Sequence, residues 1–268
     1  MPSLEVLMSA MYQKDLSLAK QCKPETDVLI INQCDEESYC EEIYNGHKIR
    51  MISTTERGLS KSRNTALKNA QGDICVFCDD DVVYNDGYKE EILKAFNETP
   101  DADIIAFNVH HKNARHKMKI NKSFKKAPRF RMYCSVSLAF KQKNITDKKI
   151  WFNKLFGAGS GVITSGEESV WQYDAKKKGL HIYEHPFCIA EVAQSDSTWF
   201  NGYNEQFFYD KGAFLQTVMP KLKHFFKYYY VYRLKANTTI SIKEQLQWIN
   251  AGMAGIRKGQ SYEKYCEK

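Results

Sequence analysis

The densest chemistry in the chain lies in residues 72–83, GDICVFCDDDVV, where an apolar run over 74–78 is followed directly by Asp79, Asp80 and Asp81. Three adjacent carboxylates repel one another and cost stability unless a positive group neutralises them. Mg²⁺ or Mn²⁺ does this with one or two carboxylates while water and substrate phosphates complete the shell, which implies a diphosphate ligand. A solvated turn or a helix cap is the plainer explanation of an acidic triplet. Its position at the end of a buried strand, where α/β sheets bind ligands, favours the metal and diphosphate reading. Arg63, one crossover earlier, carries a guanidinium able to reach a phosphate or a base in the same crevice, with a surface ion pair as its alternative.

Several elements must position these groups. Residues 4–10 read as a first strand, 12–20 as a polar connection or short helix, and 27–32 (DVLIIN) as a strand buried on both faces. Residues 35–44, opening on acidic side chains, read as a helix, and 48–53 as the next strand. A helix over 58–70 ends at Gly72, expected as its C-terminal cap, and is followed by the strand over 74–78, a helix over 86–96 and a strand over 103–109. Strand and helix in alternation predict a mostly parallel α/β sheet with helices on both faces and ligands at the carboxyl strand ends. Gln33 and Asp35, after the second strand, share that edge with the acidic triplet.

Farther on, a strand is expected over 132–140 and a helix from Ser165 to Gly179, then a strand over 180–183 and a final helix over 241–257. Between the first two, Gly157, Gly159 and Gly161 suit close approach of backbone to a ligand.

With 43% hydrophobic and 13% aromatic residues, the 268-residue chain can bury a sizeable core. The first residues lack the pattern of an export signal, and no apolar run approaches the roughly 18 residues of a membrane span. Eight irregularly spaced cysteines then read as reduced thiols, and the expected location is cytoplasmic. Cys75 and Cys78 form a C-x-x-C inside a strand, with no second pair or flanking His to make it a zinc or redox site. The formal charge of +7 is uneven: residues 104–146 hold eleven Lys or Arg and no acid. Such a block marks a phosphate, an acidic polymer, an anionic membrane or a solvated loop.

The ordered set of an apolar strand, Ser62-Arg63-Asn64 in a helix, Gly-Asp-strand-DDD, and Gly166-Glu167-Glu168 at a later helix start resembles the family 2 glycosyltransferases of the GT-A fold, over roughly residues 3–200. The resemblance implies a Rossmann-like, mostly parallel sheet flanked by helices, with a GT-A domain over 1–205 and a C-terminal helical extension over 206–268. Within the former, 1–110 would bind nucleotide and 111–205 the acceptor. It implies that Asp81 ligates Mn²⁺ or Mg²⁺ on the donor diphosphate, that Asp79 and Asp80 face ribose and diphosphate, and that Gln33 or Asp35, together with Arg63, contacts the nucleotide. Ala10 or Met11 would lie against the uracil. Family members carry Glu-Asp where this chain has Glu167-Glu168, so Glu168 is the expected base, with Glu167 the alternative. Ser165-x-x-Glu168 also fits a capping box. Relatives often place a His after the next strand; Gln194 stands near that place and His185 precedes a proline, so no second metal ligand is assigned.

The implied activity is metal-dependent, inverting transfer from a nucleotide sugar, a UDP-sugar foremost, to a saccharide or lipid-linked acceptor in cell-surface polysaccharide synthesis. Trp171, Trp199 and Tyr203 are candidates for stacking on an acceptor sugar, core packing being the commoner fate of a Trp. Residues 211–235 contain six Lys or Arg, no acid and a cluster of aromatics. They suit an anionic membrane surface, which would make the enzyme peripheral on the inner face of the plasma membrane. Core packing or a homodimer interface is the alternative there. Nucleotidyl transfer and a binding module for nucleic acid or acidic polymer are the competing functions. Neither a Gly-rich phosphate loop with Lys nor a G-x-G-x-x-G follows the first strand, and nucleic acid is the disfavoured partner.

Overall fold

The computed structural model describes residues 2–111, 120–121, 124–193 and 202–267. Its strands are β1 (Leu4–Met11), β2 (Asp27–Gln33), β3 (Ser38–Tyr44), β4 (His47–Thr54), β5 (Ile74–Cys78), β6 (Val82–Tyr84), β7 (Ile104–His111), β8 (Lys125–Lys126), β9 (Leu138–Lys141) and β10 (Ile182–Val192). The α-helices are α1 (Ser17–Gln21), α2 (Leu59–Asn69), α3 (Tyr88–Glu98), α4 (Gln142–Asp147), α5 (Glu167–Lys177), α6 (Glu205–Val218), α7 (Lys223–Leu234), α8 (Ile242–Gly255) and α9 (Tyr262–Cys266). The chain divides into two compact units, one of Met1–Arg57, Lys61–Trp151 and Asp174–Asp196, the other of Gly58–Ser60, Phe152–Tyr173 and Ser197–Lys268.

The first unit is built on one sheet in the order β3-β4-β2-β1-β5-β9-β7-β10-β6, with β8 added on β10. The pairs β4-β2, β2-β1, β1-β5 and β7-β10 are parallel, and β9 runs antiparallel to both β5 and β7. The uninterrupted apolar sequences of β2 and β5 follow from burial on both faces: Val28–Ile31 and Ile74–Cys78 are all buried. One core joins the sheet to α1 and α3 through residues such as Val6, Ile30, Val76, Leu18, Ile92 and Phe96. The fold is the expected mostly parallel α/β sheet flanked by helices.

Three expectations change. Residues 38–44 form strand β3, antiparallel to β4, instead of a helix. The reason is the turn between them: Asn45 and Gly46 take φ of 49° and 81°, the double positive φ of a two-residue hairpin, which Asn-Gly favours. Gly72 is not a left-handed helix cap. A Cβ there would lie 2.7 Å from the Cβ of Glu5 and 2.8 Å from the carbonyl oxygen of Ile74, so the glycine permits close passage past β1. The buried Glu5 uses that closeness, accepting from Gln71 N and Gly72 N at 2.6 and 3.0 Å while Arg50 Nη2 donates to its other oxygen at 2.6 Å. Lastly, the strand expected over 132–140 is confined to β9, because Ser135–Ser137 form a 3₁₀ turn.

The second unit holds α6 to α9. Gly212 and Gly252 sit where α6 and α8 cross so closely that an added Cβ would overlap the Ile249 and Tyr209 backbones. Helix α8 begins at Ser241 in a capping box with Glu244, near the start expected for the last helix. Two hydrophobic clusters fill this unit, one around Phe156, Tyr209 and Ala213, the other around Phe208, Leu215, Val231 and Ile249.

Candidate active site

In the first unit the chain steps from β1 to β2 and β4 on one side and to β5 on the other, so the carboxyl ends of β1 and β5 flank a change in strand order. Open α/β sheets bind ligands at such a point. Asp79 and Asp81 are half-buried there, and Asp80 and Asp81 form the turn that leads into β6. Ala193 N donates to the carbonyl oxygen of Asp81 at 3.0 Å, which ties the turn to the end of β10.

Arg63 is only 2% exposed. Its Nη2 donates to Ser135 Oγ at 2.7 Å and to Asp79 Oδ1 at 3.1 Å, and the guanidinium lies 6.0 Å from the Phe77 ring centroid. Helix α2 thus delivers a cation beneath the acidic triplet, fixed from below by the 3₁₀ turn before β9. Ser62 Oγ donates to Ser9 Oγ at 2.9 Å, which anchors the same helix to β1. The SRN tripeptide therefore has a geometric role: it seats α2 and holds Asp79 in place.

At the neighbouring strand ends, Ala10 and Gln33 are buried, whereas Met11 and Asp35 reach the surface. Sequence reasoning passed over four residues here. Asn32 Oδ1 accepts from Gln13 N at 2.9 Å while its Nδ2 donates to Gln13 O and to Ser53 Oγ at 2.9 and 3.1 Å, pinning the chain that leaves β1. Tyr12 has φ of 53° and an exposed ring. Arg57 lies over that ring at 5.5 Å and its Nη2 donates to Asp35 Oδ1 at 2.7 Å. Ser135 accepts from Arg63. The available signal was position: Tyr12 and Asn32 stand at the ends of two strands recognised from their apolar runs.

The two candidate bases belong to the second unit, at the first turn of α5. Glu167 is buried and Glu168 half-buried. Gly157 has φ of 99°, and a Cβ on it would stand 3.1–3.2 Å from the carboxyl end of Glu167, so the glycine-rich segment makes room for that side chain. Just before α5, Thr164 donates to Asp210 Oδ2 through its N at 3.1 Å and its Oγ1 at 2.7 Å. Burial pushes the Asp210 carboxyl up to about 6 despite those bonds. Of the acceptor candidates, Trp171 is 0% exposed and stacked on Phe152 with ring centroids 5.4 Å apart, so it is a core residue and presents no face to a sugar. Tyr203 is half-buried and packs edge-on against Phe207. Trp199, like Gln194, lies outside the described residues.

The family model for Glycosyl transferase family 2 matches residues 16–158, more than half of the chain. The chain belongs to glycosyl transferase family 2. Among solved structures, this family 2 glycosyltransferase is similar in fold to S. aureus TarS residues 1–349, with a TM-score of 0.63 and 17% identity over 95% of this chain and 80% of that one. The TarS complex with UDP-GlcNAc aligns with a TM-score of 0.62 and 17% identity over 93% and 79% of the two chains. The complex with UDP gives 0.61 and 18% over 95% and 80%. No curated protein matches the sequence. These likenesses establish the GT-A fold.

The donor set of this family 2 enzyme suits a hard divalent cation. Local desolvation, and after it the neighbouring Asp79 charge, pushes the Asp80 carboxyl above its usual range. Among the described residues no three His, Cys, Asp or Glu side chains are grouped to cage a metal. Carboxylate oxygens are the ligand type that Mg²⁺ or Mn²⁺ takes alongside water and phosphate. His111, at the end of β7, feels the Asp81 charge, though burial is the stronger influence and lowers its pKa.

Proposed function

We propose that this glycosyltransferase moves a sugar from a UDP-sugar to a hydroxyl of a saccharide or lipid-linked acceptor in cell-surface polysaccharide synthesis, with inversion and with dependence on Mn²⁺ or Mg²⁺. The observation that carries the reading is the acidic triplet at the carboxyl end of β5, beside the change in strand order, with Arg63 beneath it. The TarS complexes with UDP-GlcNAc and UDP support the choice of a uridine donor.

In this proposal Asp81 holds the cation with the donor diphosphate, and Asp79 and Asp80 face the ribose and diphosphate. When bound, the cation supplies positive charge to the departing diphosphate. Arg63 keeps Asp79 oriented and adds its charge on the nucleotide side. Met11 and Asp35, exposed at the ends of β1 and β2, with Ala10 and Gln33 behind them, border the base. Glu168 takes the proton from the acceptor hydroxyl as that oxygen attacks the anomeric carbon. It is preferred over Glu167 because it is the less buried of the two. Attack in line with the leaving diphosphate inverts the anomeric centre and needs no covalent enzyme intermediate.

The test is a panel of UDP- and GDP-sugars with Mn²⁺ or Mg²⁺, followed by calorimetry and by mass detection of released nucleotide. Binding or slow hydrolysis of one donor is expected, abolished in Asp81→Ala. Absence of both for every donor with the wild-type protein overturns the proposal.

A further inference from the structure

Of the twelve large hydrophobic side chains exposed among the described residues, six fall between positions 222 and 242: Leu222, Phe225, Tyr228, Tyr229, Tyr232 and Ile242. Four of them share one side of α7. At about 100° per residue, Phe225, Tyr228, Tyr229 and Tyr232 fall within an arc of about 100°. The opposite side does the packing. Val231 and Lys227 are buried, Lys227 Nζ donates to Asn250 Oδ1 of α8 at 3.1 Å, and Phe226, Tyr230 and Leu234 cover the second cluster of this unit. Core packing therefore accounts for one face of α7 and leaves the more aromatic face in water, the reverse of an ordinary surface helix.

The charge along this stretch of the chain has one sign. No Asp or Glu occurs from 211 to 243, while Lys221, Arg233 and Lys235 are exposed at the two ends of the aromatic row. Arg233 Nη1 donates to the Tyr229 hydroxyl at 3.0 Å, and Lys235 Nζ lies 4.5 Å from the Tyr232 ring centroid, so both cations sit at the level of the rings. Tyrosine couples an apolar ring to a polar tip, which suits it to the boundary between headgroups and acyl chains. With twelve residues, α7 is about 18 Å long, and no helix among the described residues is long and apolar enough to cross a membrane.

We infer that the outer face of α7 is a membrane-surface contact that takes an anionic phospholipid bilayer, its rings entering the headgroup layer and Lys221, Arg233 and Lys235 meeting lipid phosphates. A second copy of the chain is the poorer occupant. Two such faces brought together would oppose cation to cation without a carboxylate from 211–243 to offset them. A nucleic acid is poorer as well, because rings occupy the centre of the patch and cations its ends. The inference is independent of the donor chemistry.

The experiment is co-sedimentation of the full chain with phosphatidylcholine vesicles, with and without phosphatidylglycerol, at low and high salt. Binding to the anionic vesicles that weakens with salt is expected. Phe225→Ser/Tyr228→Ser/Tyr232→Ser should reduce it at least about tenfold, and Lys221→Glu/Arg233→Glu/Lys235→Glu should abolish the preference for phosphatidylglycerol. All of these side chains are exposed, so far-ultraviolet circular dichroism should be unchanged. Failure of the wild-type chain to bind anionic vesicles, equal binding by the ring variant, or conversion of a dimer to a monomer by the same substitutions would each overturn the inference. Displacement of the chain from vesicles by a single-stranded oligonucleotide, with the ring variant binding the oligonucleotide as weakly as it binds lipid, would overturn it in favour of nucleic acid.

Discussion

At the end of β5, Asp79 shares a buried guanidinium with Ser135, and the carboxylates after it lie on an open turn. At the start of α5, Glu167 is buried against Gly157, and Thr164 just ahead binds a second buried acid, Asp210. Both are clusters of carboxylates, but in the first Asp79 is held by a buried cation, while in the second Glu167 and Asp210 are themselves buried. Burial raises the Asp210 carboxyl to about 6 in the second, and desolvation with the Asp79 charge raises that of Asp80 in the first. In the proposed function the first cluster serves the leaving group and the second supplies the base.

That contrast can be broken most sharply at Glu168. Glu168→Gln is expected to retain donor binding while transfer to acceptor falls roughly 10²- to 10⁴-fold, read by calorimetry and by product mass. Unchanged transfer moves the base to Glu167. Arg63→Ala tests the other side. It removes a buried cation and its bond to Ser135 Oγ and leaves a cavity, so a loss of about 2–4 kcal/mol in urea unfolding is expected, together with weaker donor binding.

A pH series sharpens the contrast further. The Asp210 carboxyl is raised from 3.8 to about 6 in the folded chain, so its contribution is fully favourable below the unfolded value and is lost as pH rises through about 6. Stability should fall by up to about 3 kcal/mol across that window, and Asp210→Asn should remove that part of the slope in urea titrations. The smallest effect is expected from Gly157→Ala. It forces a side chain into φ of 99° and against Glu167, costing about 1–2 kcal/mol by thermal denaturation.

Much of the first unit was legible because its strands are short apolar bursts that only a sheet buried on both faces explains, as in DVLIIN and ICVFC. Residues 35–44 read as a helix because the acidic residues at 35–37 suit a helix start, while the decisive signal, Asn45-Gly46, lies at the far end of the segment. Trp171 shows the complementary error. Residue type suggested a sugar platform, but helical position put the ring against Phe152. Tyr12 and Arg57 could not be paired from sequence, since they are 45 positions apart and meet through the parallel pairing of β1, β2 and β4.

By itself the sequence determined the kind of fold, the place of the acidic triplet at a strand end and the family, because hydrophobic periodicity and short ordered motifs are local properties of the chain. Only the tertiary structure decided what holds each carboxylate. Arg63 and Ser135 are 72 positions apart and meet at Asp79 because β9 inserts antiparallel beside β5. The exposed face of α7 was decided in the same way. Its composition was visible from the outset, but which rings face water depends on which side of the helix the core of the second unit already covers.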